Sequence, residues 1–82
     1  MVKKKKRGEK KVEIMIRHAR DLFEAFQTAQ GMARAGADVF SVVYSDPNLE
    51  FPYSIWAKIK SNDMIDKVDL AIEKEINKEL EV

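Results

Sequence analysis

The spacing of apolar residues in this chain changes period three times within about seventy residues, and that order constrains the fold more than any single residue does. The stretch KVEIMIRH alternates. Val12, Ile14, Ile16 and His18 fall on one side, and Lys11, Glu13, Met15 and Arg17 on the other. A period of two with β-branched residues reads as a half-buried strand. We expect the row Val12, Ile14, Ile16, His18 to face the core. The next stretch, DLFEAFQTAQGMARAG, repeats at helical spacing, with Leu22, Phe26, Ala29 and Ala33 on one stripe flanked by Phe23, Ala25 and Met32. Asp21, followed three residues later by Glu24, is a capping-box-like start, and Gly36 is placed to end the helix in a left-handed conformation. Gly31 falls inside the helix, on its expected outer face, and costs about 1 kcal/mol relative to Ala there.

Period two then returns twice. In DVFSVVYS, Phe40, Val42 and Tyr44 point one way and Val39, Ser41 and Val43 the other. Asp46, Pro47 and Asn48 are turn chemistry. In EFPYSIWAKIK, Phe51, Tyr53, Ile55, Ala57 and Ile59 share one side, opposite Ser54, Trp56, Lys58 and Lys60, and Pro52 limits pairing near the start. Ser61 is then expected to cap a second helix with Asp63 in its first turn. Ile65, Val68, Ile72, Ile76 and Leu80 form its apolar stripe, and Leu70 falls on the polar side. Residues 77–82 either finish this helix or, with Asn77 ending it, add a short strand.

Strand, helix, strand, strand, helix is an α+β order. A right-handed crossover leaves room for the third strand between the first two, which gives a split βαβ, ferredoxin-like sheet. Both helices would lie on one face of a small antiparallel sheet, with a short C-terminal fourth strand as an option. In element order alone the layout is similar to the RNA-recognition-motif architecture. The third-strand aromatic pattern of that family is absent, because Phe51 and Tyr53 have the opposite parity from Trp56. No family membership is inferred.

The 82 residues hold one small domain. Charge is divided unevenly along them. Lys3, Lys4, Lys5, Lys6, Arg7, Lys10 and Lys11 against Glu9 give the first eleven residues a net +6, while eight basic and thirteen acidic residues give the rest −5. We therefore expect a disordered basic arm over residues 1–10 and a single α+β domain over 11–82. With no Cys there is no disulfide framework and no Cys-based metal site. The basic start is followed by no apolar segment, so it is not expected to be a signal peptide, and no apolar run approaches a membrane span. An intracellular location with no membrane partner is expected.

No motif names a reaction. The single His, His18, is expected to be a partly buried structural residue, and no second His exists to build a site with it. Asp63, Asp66 and Asp69, and likewise Glu73, Glu75, Glu79 and Glu81, read as solvated helix surface. The Gly residues are scattered and form no phosphate loop. A non-enzymatic binding protein with no cofactor and no metal is expected.

The outward side of the sheet is the candidate site. Neighbouring strands one and three would present Met15 and Arg17 beside Trp56, Lys58 and Lys60. An exposed aromatic among cations is what a stacking platform for single-stranded nucleic acid uses. The expected nucleic-acid-binding set is Lys3, Lys4, Lys5, Lys6, Arg7, Lys10, Lys11, Arg17, Trp56, Lys58 and Lys60. The alternative is a homo-oligomerising interaction or inhibitor module, a homodimer for example. It would use an apolar strip of Met15, Val39, Val43 and Trp56 and bind no nucleic acid.

Overall fold

The structure is a computed structural model that describes the backbone of residues 13–80 and side chains through Lys78. It is a small α+β unit in which strand β1 (Glu13–Ala19) leads into helix α1 (Leu22–Arg34). Strands β2 (Asp38–Tyr44) and β3 (Tyr53–Ile59) follow, and helix α2 (Met64–Leu80) is last. The strands form one sheet in the order β1-β3-β2, with β3 antiparallel to both neighbours.

Local chemistry sets the element ends. Asp21 Oδ1 accepts the Glu24 N–H at 2.8 Å, and Glu24 Oε1 accepts the Arg20 N–H at 2.7 Å, so the start of α1 is closed from both sides. At its end Gly36 has φ 100°, and the N–H groups of Gly36 and Ala37 donate to the carbonyls of Ala33 and Met32. These are the paired bonds of a Schellman motif. Asp46 Oδ1 accepts from Asn48 N in the β2–β3 turn. Ser61 Oγ accepts from Asp63 N at 3.2 Å, and α2 begins only at Met64, so Asp63 precedes the first helical turn instead of occupying it.

The core contains Met15 and Ala19 from β1, Ile55, Ala57 and Ile59 from β3, Ala25 and Met32 from α1, and Val68 from α2. Ile65 and Ile72 pack against it. Gly31 lies at the crossing of the two helices: a Cβ there would sit 2.5 Å from Ile72 Cα. The glycine is buried, not outward, and its missing side chain sets how closely the helices approach. Glu75, expected at the surface, is 6% exposed, with Arg34 Nε at 2.9 Å from its Oε2. That pair fastens the end of α1 to α2.

Two further expectations are corrected, and the alternatives left open for the C-terminal residues are decided as far as Leu80. The core side of β1 is the row Glu13, Met15, Arg17, Ala19, because these residues pair in register with Ile59, Ala57, Ile55 and Tyr53 of the inward β3 row. Ile14 and His18 are exposed on the other side. On α1, Leu22, Phe26 and Ala33 are exposed, and the buried face is Ala25, Thr28, Gly31 and Met32. No fourth strand forms through Leu80, since residues 77–80 complete α2. The expected basic arm at residues 1–10, Lys11 and Val12, the Glu79 side chain and Glu81 lie outside the described residues.

Candidate nucleic-acid interface on the open sheet face

Antiparallel pairing places side chains from directly opposite residues on the same face of a sheet. On the side away from the helices this produces three cross-strand rows: Ile14, Lys58 and Asp38; Ile16, Trp56 and Ser41; His18, Ser54 and Val43. Trp56 thus stands at the centre of the face, on the middle strand.

A β-bulge brings a second aromatic to it. The β2–β3 register shifts between Val39 and Ser41, so Phe40 is an extra residue on β2. A bulge re-aims a side chain. Strict alternation would put Phe40 with Val42 and Tyr44 on the helix side. The ring instead meets Trp56 edge-on, with centroids 6.5 Å apart and planes at 64°. Lys58 Nζ lies 5.4 Å from the Phe40 ring centroid. Aromatic pairs prefer edge contacts of this kind, and a cation over the ring adds attraction. Trp56 is half-buried, and its Nε1–H is buried with no hydrogen-bond partner.

The other expected site residues divide. Lys58 and Lys60 are exposed at one end of β3. Glu13, where β1 begins, is paired with Ile59, so the basic sequence before it joins the sheet at that same end. Arg17 is not on this face. Its Nε and Nη2 donate to Asp69 Oδ1 and Oδ2 at 2.7 and 2.8 Å, and Nη1 donates to the Ile16 carbonyl. The hydrogen bond to Asp69 holds the guanidinium pKa above its ordinary value. Of the expected apolar strip, Met15 is 4% exposed in the core and Val39 packs against the core. Val43 and Trp56 do share the open face, together with Ile14, Ile16 and Phe40.

Among the described residues no cluster of three His, Asp or Glu side chains could hold a metal ion. No helix among them is long and apolar enough to cross a membrane. Compared with known proteins, the chain matches no family model, no curated protein and no solved structure.

Proposed function

We propose that this chain is a non-enzymatic, intracellular nucleic-acid-binding protein that stacks unpaired bases on the Phe40–Trp56 pair of its open sheet face. The observation that carries this reading is the bulge-delivered Phe40 ring, edge-on to Trp56 and with Lys58 Nζ above it. Aromatic side chains on a sheet next to cations hold bases by stacking and phosphates by charge. Lys58 and Lys60 supply cations at one end of the face. Lys3, Lys4, Lys5, Lys6, Arg7, Lys10 and Lys11 extend the same sign along the sequence entering there. The unpaired Trp56 N–H is a donor that a ligand acceptor would satisfy if the indole shifted on binding. The fold belongs to this reading as a split βαβ, ferredoxin-like sheet with three strands among the described residues.

The test is fluorescence anisotropy with labelled single-stranded and duplex oligonucleotides of one sequence. Single strands should bind more tightly. Phe40→Ala and Lys58→Ala should each weaken binding, and Arg17→Ala should not. Equal affinity for duplex, or no effect of Phe40→Ala, counts against base stacking.

A second reading is favoured by Ile14, Ile16 and Val43, which surround the aromatic pair with apolar surface across all three strands. In that reading the open face docks against protein and binds no nucleic acid. Ile16→Lys would then abolish self-association.

A further inference from the structure

We infer that the free edge of β2, together with the neighbouring flank of α1, is where a second copy of this chain docks, joining two three-stranded sheets into one six-stranded sheet. β2 is an edge strand in the order β1-β3-β2. Ser45 N donates to the Pro52 carbonyl at 2.9 Å. Hydrogen-bonded and non-bonded positions alternate along an antiparallel pair. Continuing from Ser45, Val43 bonds to β3, while the N–H and C=O groups of Val42 and Tyr44 point outward from the edge.

Natural edges are protected by charge, proline or bulges. The β2 bulge lies before Ser41, and residues 41–44 keep a regular register with β3 and carry neither charge nor proline. Apolar side chains are exposed on both sides of this segment: Val42 and Tyr44 toward the helix layer, Phe40 and Val43 on the open face. Helix α1 adds Leu22 and Phe26, the latter 64% exposed. Gly31 marks the flank of α1 that meets α2, and Arg17–Asp69 places α2 on the β1 side. Leu22 and Phe26 lie on the opposite flank, toward β2.

The exposed apolar area of these six residues is on the order of 500–600 Å², and the strand edge adds to it, against about 800 Å² per partner in a standard interface. The occupant is a second copy because an antiparallel edge is complementary to itself about a two-fold axis. One register satisfies the outward groups. Val42 and Tyr44 of each copy form the bonded pairs with Tyr44 and Val42 of the other, and Val43 faces its own counterpart. This register also keeps Asp38 and Asp46 from facing each other. Both open faces then lie on one side of the joined sheet, which doubles the aromatic platform. The dimer depends on the strand edge and the α1 flank and stands or falls separately from nucleic-acid binding.

Sedimentation of the full chain at high micromolar concentration should give a dimer. Val42→Pro removes an outward N–H and should yield a monomer. Tyr44→Lys, at an exposed side chain, should do the same with an unchanged circular dichroism spectrum, and it serves if the proline variant does not fold. The native chain has no Cys, so Val43→Cys is a single-thiol probe. Under mild oxidation by oxidised glutathione it should cross-link to a dimer much faster than Phe23→Cys. A monomeric native chain overturns the proposal. So does a dimer that survives Tyr44→Lys and is lost in Trp56→Lys, because that dimer is held by the open face.

Discussion

Arg17 and Asp69 are joined by two parallel hydrogen bonds, Nε to Oδ1 at 2.7 Å and Nη2 to Oδ2 at 2.8 Å, which tie β1 to α2 on the helix side of the sheet. The fork-to-carboxylate geometry is specific to arginine. Arg17 shares the helix-side row with Met15 and Ala19, so it is not among the cations of the open face where it was expected. Arg17 is therefore a strut of the fold.

Arg17→Ala should lower stability by about 1 kcal/mol, a modest figure because both side chains are partly exposed. Affinity for single-stranded nucleic acid should stay unchanged. The guanidinium pKa is raised in the folded state, chiefly by the hydrogen bond to Asp69. Its contribution is fully present below the unfolded value and is lost only as pH rises through the higher folded value. Urea midpoints of native and Arg17→Ala protein should accordingly differ by a constant amount between neutral and mildly alkaline pH.

Gly31→Ala would gain about 1 kcal/mol of helix propensity in an isolated helix. Here the new methyl meets Ile72 Cα at 2.5 Å and Ala71 O at 2.9 Å, and neither backbone atom can swing aside. Overpacking costs about 1–3 kcal/mol or more. With the contact set against fixed backbone the cost falls at the upper end, so the expected result is a net loss of up to roughly 2 kcal/mol, seen as a fall of up to about 16 °C in Tm for a domain of this size. A gain in Tm would mean that α1 and α2 are not in close contact there.

Arg34→Ala should be more damaging than Arg17→Ala. The Glu75 carboxylate is nearly buried, and without Arg34 its remaining cation is Lys78 at 3.8 Å. An uncompensated buried charge costs about 2 kcal/mol or more. Arg34→Ala combined with Glu75→Leu should recover part of that loss, because an apolar side chain leaves no charge to desolvate. Chemical denaturation of the three variants measures the difference.

Element existence was legible because it rests on local signals. Asp21 with Glu24 starts α1, Gly36 ends it, and Asp46–Asn48 turns the chain between β2 and β3. The facing of side chains was less legible. Both rows of β1 contain apolar residues, and alternation alone does not say which row meets a helix. The small Ala19, the flexible Met15 and the reach of Arg17 to Asp69 decide it. On β2 the bulge breaks the alternation at Phe40, and no residue type there announces it. Gly31, which has no role in an isolated helix, was the available sign of a close helix crossing. Trp56 and Lys58 were legible as one side of β3, Lys60 lies one residue past the strand's end, and Phe40 became visible as part of the site only through the bulge.

The aromatic pair should also show in the free protein. Phe40→Ala removes the ring edge packed near Trp56 and opens the indole to water. Trp56 emission should shift to longer wavelength with little change in far-ultraviolet circular dichroism. An unshifted emission maximum would mean that the two rings do not meet in solution.

The central claim is that bases stack at Trp56, and the chain's single Trp makes its fluorescence the most direct measurement. Short single-stranded RNA or DNA should quench the emission saturably, and Phe40→Ala should weaken binding by roughly 1–3 kcal/mol, as expected for a stacking contact. The log–log dependence of affinity on salt should be negative, approaching a slope of about −5 if the seven cations of the first eleven residues all engage one strand at roughly −0.7 per contact. Deleting residues 1–10 should flatten that slope while quenching persists at low salt. Binding that leaves Trp56 emission unchanged, or no binding at low salt, would contradict the account.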